Sequence, residues 1–192
     1  LLYCFGKLTS TIGIYNCFLY ERRFFMERCT GFAPSVDENC TTLILGSMPS
    51  VKSLEENQYY AHPQNRFWKL MAIFFNNGTV PAVYEEKLAM LRKNHIALWD
   101  SIDSCVREGS LDSAICDEVA NDFTVFLRQY PNIKRICFNG GKSFQCFKKY
   151  NKELLKNPQL EFYTLPSTSP ANARFRLADL QEKWQEALRA HL

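Results

Sequence analysis

Four short apolar runs punctuate the chain, at residues 42–45, 96–99, 133–138 and 162–165. Each is bounded by Gly, Pro, Ser, Asn or Asp and is too short for a helix, so each is expected to be a strand. Between them apolar positions recur with helical spacing. Residues 65–75 place Phe67, Leu70, Met71, Phe74 and Phe75 on one face, and residues 84–93 carry Leu88 and Leu91. Residues 117–130 carry Val119, Phe123, Phe126 and Leu127 and stop at Pro131. A helix over 143–150 follows Gly140-Gly141, and one over 176–191 carries Leu177, Leu180, Trp184 and Leu188. Strands alternating with helices imply right-handed βαβ units and a sheet covered on both faces. The expected fold is therefore α/β: a three-layer α/β/α sandwich with a central, mainly parallel four-stranded sheet.

In such folds ligands sit beyond the carboxyl ends of the strands. That directs attention to the loops at 46–65, 100–113, 139–142 and 166–174, where small and polar residues gather. In "LILGSMPS", Gly46 permits a sharp turn and Pro49 fixes the next φ. Such a loop is either an ordinary strand exit or a way to aim several backbone N–H groups at one acceptor. In "QYYAHPQNRFW", Asn65 stands where a helix N-cap belongs. Its amide is equally suited to holding a water or a substrate edge, and Tyr60 offers a flat stacking surface. His62 is either an acid–base group or a turn residue ahead of Pro63. In "YTLPSTSPANARF", Ser167, Thr168 and Ser169 offer hydroxyls, with Arg174 and Arg176 nearby. This composition suits either a phosphate contact or a turn that caps the last helix.

The chain has 192 residues, enough for one domain with a substantial core. The division expected is an N-terminal extension over 1–37, outside the core, and a domain over 38–192. A net charge of +3 permits a nucleic-acid partner without arguing for one. The eight cysteines form no C-x-x-C pair, so neither a zinc site nor an iron–sulfur cluster is expected. No secretory signal is visible, which points to reduced thiols in an intracellular setting, cytoplasmic or nuclear. Residues 1–25 read as foreign to the domain. They begin without Met, their apolar stretch at 11–20 is too short to span a membrane, and Met26 would make a sensible start. A translated upstream region or an isoform extension is one reading. The stretch lacks the amphipathic Arg pattern of an organelle-targeting segment, and no function is assigned to it.

Taken in order, four stretches are specific: "LILGSMPSVKSLEENQYYAHPQNRFWKLM", "ALWDSIDSCVREGSLDSAI", "ICFNGGKSF" and "LPSTSPANA". With them the chain resembles the uracil-DNA glycosylase superfamily, closest to its DNA-deoxyinosine (hypoxanthine-DNA) glycosylase branch. The resemblance covers roughly residues 41–192. The Asn-Arg-Phe-Trp run is also similar to that of the mismatch-specific uracil glycosylases.

The resemblance implies a DNA repair enzyme that flips out a deaminated base, hydrolyses its N-glycosidic bond and leaves an abasic site. It implies a monomer acting on double-stranded DNA, with no membrane, metal or cofactor. Many members carry Asp, Asn or Glu in the loop after the first strand and His or Asn at the start of the last motif. Here those places read Gly46-Ser47-Met48-Pro49-Ser50 and Leu165. The resemblance to the hypoxanthine branch moves the catalytic amide to Asn65 in "HPQN". Gly46, Ser47, Met48, Pro49, Tyr60 and His62 are then expected around the base, and Ser167, Thr168, Ser169, Arg174 and Lys142 along the DNA backbone. No lysine is placed for a lyase step, and Arg107 and Asp112 are expected only to order their loop. Alternatives are a glycosylase favouring uracil or xanthine, a lesion-binding homologue without catalysis, and a generic nucleotide-binding α/β protein. The last lacks a P-loop or G-x-G-x-x-G signature.

Overall fold

The computed structural model describes residues 27–189. The expectations for residues 1–25, and for the end of the last helix at His191, lie outside these. Along the chain come β1 (Arg28–Thr30), β2 (Thr42–Gly46), α1 (Val51–Glu56), α2 (Phe67–Phe75), α3 (Tyr84–Lys93), β3 (Ile96–Asp100), β4 (Ile102–Val106), β5 (Cys116–Ala120), α4 (Phe123–Gln129), β6 (Arg135–Asn139), α5 (Gly141–Tyr150), β7 (Glu161–Leu165) and α6 (Leu177–Leu188).

The central sheet is four-stranded and wholly parallel, in the order β3-β2-β6-β7. β2, β3 and β6 are buried on both faces, β7 is a partly exposed edge, and side chains alternate between two cores with the period of two that a strand imposes. Ile44, Leu98 and Cys137 face a cluster built with Phe67, Trp68, Leu91 and Trp184 from α2, α3 and α6. Leu43, Leu45 and Phe138 face the opposite cluster, with Phe123 and Phe126 of α4 and Phe147 of α5. This is the expected three-layer sandwich.

Three features differ from the reading of the sequence. The helix expected over 117–130 is two elements. "CDEVA" forms β5, whose exposure alternates residue by residue, and α4 starts only after Asp122. Asp122 Oδ1 accepts from the Val125 N–H at 3.0 Å, and this cap restarts the chain as a helix. Val119 therefore belongs to strand period, which its single apolar position could not distinguish from helix period. The second difference is a small antiparallel sheet, β1-β4-β5, which gives β5 its partner. The third is α1, a short helix inside the loop after β2, capped by Ser50 Oγ accepting from the Ser53 N–H at 3.1 Å.

The described part of the 1–37 extension packs onto the domain. β1 pairs with β4, with Cys29 opposite Cys105. Ser35 bridges to Leu98, Trp99 Nε1 donates to the Phe32 carbonyl at 2.9 Å, and Tyr59 Oη donates to the Ala33 carbonyl at 3.1 Å. Among the described residues no helix is long and apolar enough to cross a membrane.

Candidate active site

The parallel strands end side by side at Gly46, Asp100, Asn139 and Leu165. A cavity of about 410 Å³ opens beyond them. Its walls come from the loop at 46–50, from Tyr60 and Asn65, from residues 110–113, and from the loop at 167–172. This is the crevice that parallel α/β topology provides, since every crossover delivers a loop to the same edge.

Asn65, expected to be the N-cap, lies one residue ahead of it. α2 begins at Phe67 with Arg66 as its N-cap, and the Arg66 side chain makes no capping bond. Asn65 does the capping from outside: its Oδ1 accepts from the Phe67 N–H at 3.0 Å. That bond fixes which end of the amide faces the helix. Nδ2 has no protein partner among the described residues and remains available at a residue that lines the cavity. The next residue pins the far wall. Arg66 donates from Nε to the Thr168 carbonyl at 3.2 Å and from Nη2 to the Asn172 carbonyl at 3.0 Å, and it also reaches the carbonyls of Ser169 and Phe175. A guanidinium's fixed fork of donors can hold several turns of one loop at once, which an ammonium cannot.

Tyr60 adopts a left-handed backbone with φ of 54°. An aromatic residue there carries local strain of about 1 kcal/mol or more, so its surroundings must hold it. Its ring stacks on Phe67 with centroids 3.9 Å apart, and its Oη accepts from Asn139 Nδ2 at 3.0 Å. Asn139 Nδ2 also donates to Thr168 Oγ1 at 2.9 Å, while Asn139 Oδ1 accepts from the Thr168 N–H at 2.9 Å. Both amide protons of Asn139 are thus used inside the protein, and this residue ties the Tyr60 wall to the last loop. Gly140, with φ of 111°, turns β6 into α5, and a Cβ there would stand 3.0 Å from Ser167 Cβ.

The cavity also holds a buried carboxyl, that of Asp100. It is 3% exposed, lines the cavity, and its Oδ2 has no hydrogen-bond partner. Burial pushes its carboxyl from 3.8 up to about 7; the charge of Asp112 adds to the rise and that of Arg107 opposes it. Arg107 is itself 5% exposed, donates to the Pro49 carbonyl, and leaves Nε and Nη1 unpaired. Ser47 Oγ donates to Asp112 Oδ1 at 2.6 Å, so the loop after β4 braces the loop after β2. Among the described residues no group of three or more His, Cys, Asp or Glu side chains could hold a metal ion.

The sequence profile of the uracil DNA glycosylase superfamily matches residues 33–190. The chain belongs to this superfamily. Two curated relatives bear the name hypoxanthine DNA glycosylase. One, from Methanosarcina acetivorans, is 40% identical over 83% of this chain and 97% of its own. The other, from Methanosarcina barkeri, is 37% identical with the same coverage. A solution NMR structure from Methanosarcina acetivorans, described as a candidate uracil DNA glycosylase, superposes with a TM-score of 0.73. It is 39% identical and covers 86% of this chain and 99% of its own.

Within this member of the superfamily the residues singled out from sequence fall into two groups. Gly46, Ser47, Met48, Pro49, Tyr60 and Asn65 line the cavity. Met48 does so with its side chain in a small core beside Ile102 and Ile115. Ser167, Thr168 and Ser169 line it too, but they are engaged internally. Thr168 is 0% exposed and bonded to Asn139, Ser167 Oγ accepts from the Ser169 N–H, and Ser169 Oγ accepts from the Ala171 N–H. His62 stays out of the cavity: its Nδ1 accepts from the Gln64 N–H at 3.2 Å, the turn role of a His before Pro. Lys142 and Arg174 are also outside it. Lys142 sits in the first turn of α5, near Glu118, whose carboxyl is held low chiefly by its hydrogen bond with Lys149. Arg174 is exposed and lies over the Phe175 ring, 5.5 Å from its centroid.

The reading of the sequence missed Asp100 and Asn139, while Asp112, expected only to order its loop, braces that loop against Ser47. The signal for Asp100 and Asn139 was available: each is a polar residue ending an apolar strand, in "IALWD" and "ICFN".

Proposed function

We propose that this chain is a monofunctional, monomeric glycosylase. It flips deoxyinosine out of double-stranded DNA, hydrolyses the N-glycosidic bond of hypoxanthine and leaves an abasic site. The observation that carries this reading is the pairing of a buried carboxyl with unpaired backbone donors at the end of the cavity. The Ser47 and Met48 N–H groups donate to no protein acceptor among the described residues, and Asp100 stands beside Gly46 with Oδ2 free.

Hypoxanthine presents a carbonyl, O6, next to an N–H at N1. The loop donors suit the carbonyl and the Asp100 carboxylate suits the N–H. Adenine presents an amine and a bare nitrogen at the same two places, so it would leave both protein groups unpaired. A buried polar group without its partner is a strong basis for rejection. Tyr60, already stacked on Phe67, gives the flipped base an aromatic wall.

Bond cleavage builds negative charge on the base and positive charge on the sugar. The N–H groups of the 46–50 loop stabilise the first as it leaves. Asn65 holds the attacking water near C1′: Nδ2 donates, and the second lone pair of Oδ1 accepts. A neutral amide is a weak base, so its contribution is position, and the reaction relies on a leaving group able to carry charge. The backbone of the flipped strand passes over the 166–174 loop, near Arg174 and Lys142.

Xanthine and uracil share the carbonyl-beside-N–H edge, so the test uses all three lesions. Duplexes carrying inosine, xanthine or uracil are incubated with the protein and abasic sites are cleaved with alkali. Strand breaks at inosine that disappear in Asn65→Ala are expected. Tight lesion binding without breaks on any substrate would make the chain a binding module.

A further inference from the structure

Behind the cavity, outside its lining, lies a buried cation. No carboxylate bonds to Arg107 among the described residues: Nη2 donates to the Pro49 carbonyl, and Nε and Nη1 have no partner. Burying a guanidinium with most of its donors unpaired costs stability. An apolar side chain of similar length would fill the space without that cost, so ordering the loop at 107–113 does not account for an arginine here.

The one bond Arg107 makes fixes a peptide plane. In a trans peptide the C=O and the following N–H point in opposite directions, and no peptide among the described residues is cis. Three carbonyls of the 46–50 loop are held by protein donors. That of Gly46 accepts from the Ser101 N–H at 2.9 Å, that of Ser47 from the Ile102 N–H at 3.1 Å, and that of Pro49 from Arg107. The N–H groups of Ser47, Met48 and Ser50 are thereby turned away from these donors. None of the three finds a protein acceptor among the described residues, and all three residues line the cavity. The first two anchors are backbone groups where β3 passes into β4; the third is a side chain. Ser50 is otherwise committed to α1: its carbonyl accepts from the Leu54 N–H at 2.9 Å and its Oγ from the Ser53 N–H at 3.1 Å. Its N–H is the group left over.

We propose that Arg107 is a positioning residue for base removal: by holding the Pro49 carbonyl it aims the Ser50 N–H into the cavity, as a third donor for the negative charge that grows on the leaving base. This rests on the reading of the chain as a glycosylase. A donor fixed before the reaction needs no reorganisation when the charge appears. The guanidinium charge behind the loop acts in the same sense, since no bonded carboxylate neutralises it.

The test pairs Arg107→Met, which fills the space without donor or charge, with Arg107→Lys, which keeps a charged donor for one carbonyl. In Arg107→Met single-turnover excision of hypoxanthine at saturating enzyme is expected to fall roughly 10²-fold, the weight of one lost oxyanion donor. Affinity for the inosine duplex should stay near the parent's, because the donor counts most when charge has developed. Thermal stability should change little, as the lost bond and the lost buried charge offset each other. Arg107→Lys should recover most of the rate. The pH profile supplies a readout that loop ordering would not move. Asp100 is faced by Asp112, by Arg107 and by the phenols of Tyr59, Tyr60 and Tyr84, and Arg107 is the cation among them, holding the carboxyl down. The acidic limb should therefore move to higher pH in Arg107→Met and return in Arg107→Lys. An unchanged rate, or a loss that merely follows a loss of folded protein with the limb unmoved, would overturn the proposal. If the parent itself excises nothing, the glycosylase reading fails, and crystal structures of the parent and Arg107→Met still decide the aiming. A Pro49–Ser50 peptide that turns in the variant supports it, and one that keeps its orientation without the guanidinium sinks it.

Discussion

Gly46 and Asp100 are partners in register at the carboxyl end of the parallel sheet, and a Cβ on Gly46 would collide with Asp100 Oδ1. It would also stand 3.1 Å from Tyr60 Oη. The glycine is therefore required by close approach: the space a side chain would take is filled by the carboxyl of the neighbouring strand. Two adjacent strand ends thus share one volume, and that volume is the end wall of the cavity.

Gly46→Ala should consequently act through Asp100. We expect it to destabilise the fold by about 1–3 kcal/mol through overpacking and to abolish excision. In an Asp100→Ala background the same glycine substitution should cost clearly less, because the colliding oxygen is gone. A double-mutant cycle in chemical denaturation reads this coupling. Additive costs would mean that the two residues do not compete for space.

Asp100 carries a stability cost with a definite pH window. Its carboxyl titrates near 3.8 when unfolded and near 7 when folded, so folding takes up a proton between those values. The unfolded state holds fewer protons there, and stability falls as pH rises from about 4 to about 7. Above pH 7 the full penalty of a buried charge remains. Asp100→Asn removes it, so the variant should be more stable than the parent by about 2–4 kcal/mol at pH 8. The gap should close toward pH 4. A gap that stays constant across this range would exclude Asp100 as its source.

Activity should run the opposite way. If the ionised carboxyl accepts the N1–H of the base, kcat/KM for inosine rises with pH up to about 7 and is level above it. Asp100→Asn should lose that acidic limb and most of its rate, while eroding the preference for inosine over adenosine, because an amide can donate to a bare ring nitrogen. More stable but less active is the signature of a residue kept for function. A pH profile that survives the substitution unchanged would assign the limb to another group.

The parallel sheet was legible because β2, β3 and β6 are buried on both faces and read as nearly uninterrupted apolar runs. The cavity loops followed from topology alone. The small antiparallel sheet was not legible: β5 shows "CDEVA", with one large apolar residue, and β1 lies in a stretch whose only strong feature is charge. Asn65 was legible as a cap but not as one acting from outside the helix, since the first residue of a helix is set by backbone bonds that the sequence does not display. Asp100 was not legible because the recognisable motifs each lie within one loop, whereas this carboxyl reaches the site from the adjacent strand. Thr168 was assigned to DNA for its hydroxyl, and nothing in "PSTSP" shows that Asn139 already holds it.

Arg66 gives the last loop its shape through the number of acceptors it serves. Its side chain reaches carbonyls on Thr168, Ser169, Asn172 and Phe175. Arg66→Lys supplies one compact ammonium that cannot span them, so it should behave nearly like Arg66→Ala. Both are expected to lose about 1–3 kcal/mol of stability and to become open to limited proteolysis within residues 167–175. If Arg66→Lys retains full protection, the charge matters and the fork does not.

Asn65 joins two roles that a single substitution to Ala would remove together. Its Oδ1 caps α2 through the Phe67 N–H, and its Nδ2 is the group left for water. Asn65→Ala should cost about 1 kcal/mol of stability and, through loss of the placed water, roughly 10²–10³ in single-turnover rate. Asn65→Asp separates the two. A carboxylate keeps the capping oxygen, and its charge at a helix start is favourable, so stability should match or exceed the parent. The donor is gone, however, and so is the fixed polarity of the amide. If the water must be held by a donor and an acceptor at once, Asn65→Asp stays as slow as Asn65→Ala. If instead Asn65→Asp is faster than the parent, the position only needed a base, and the amide was serving chiefly as the cap of the helix it begins.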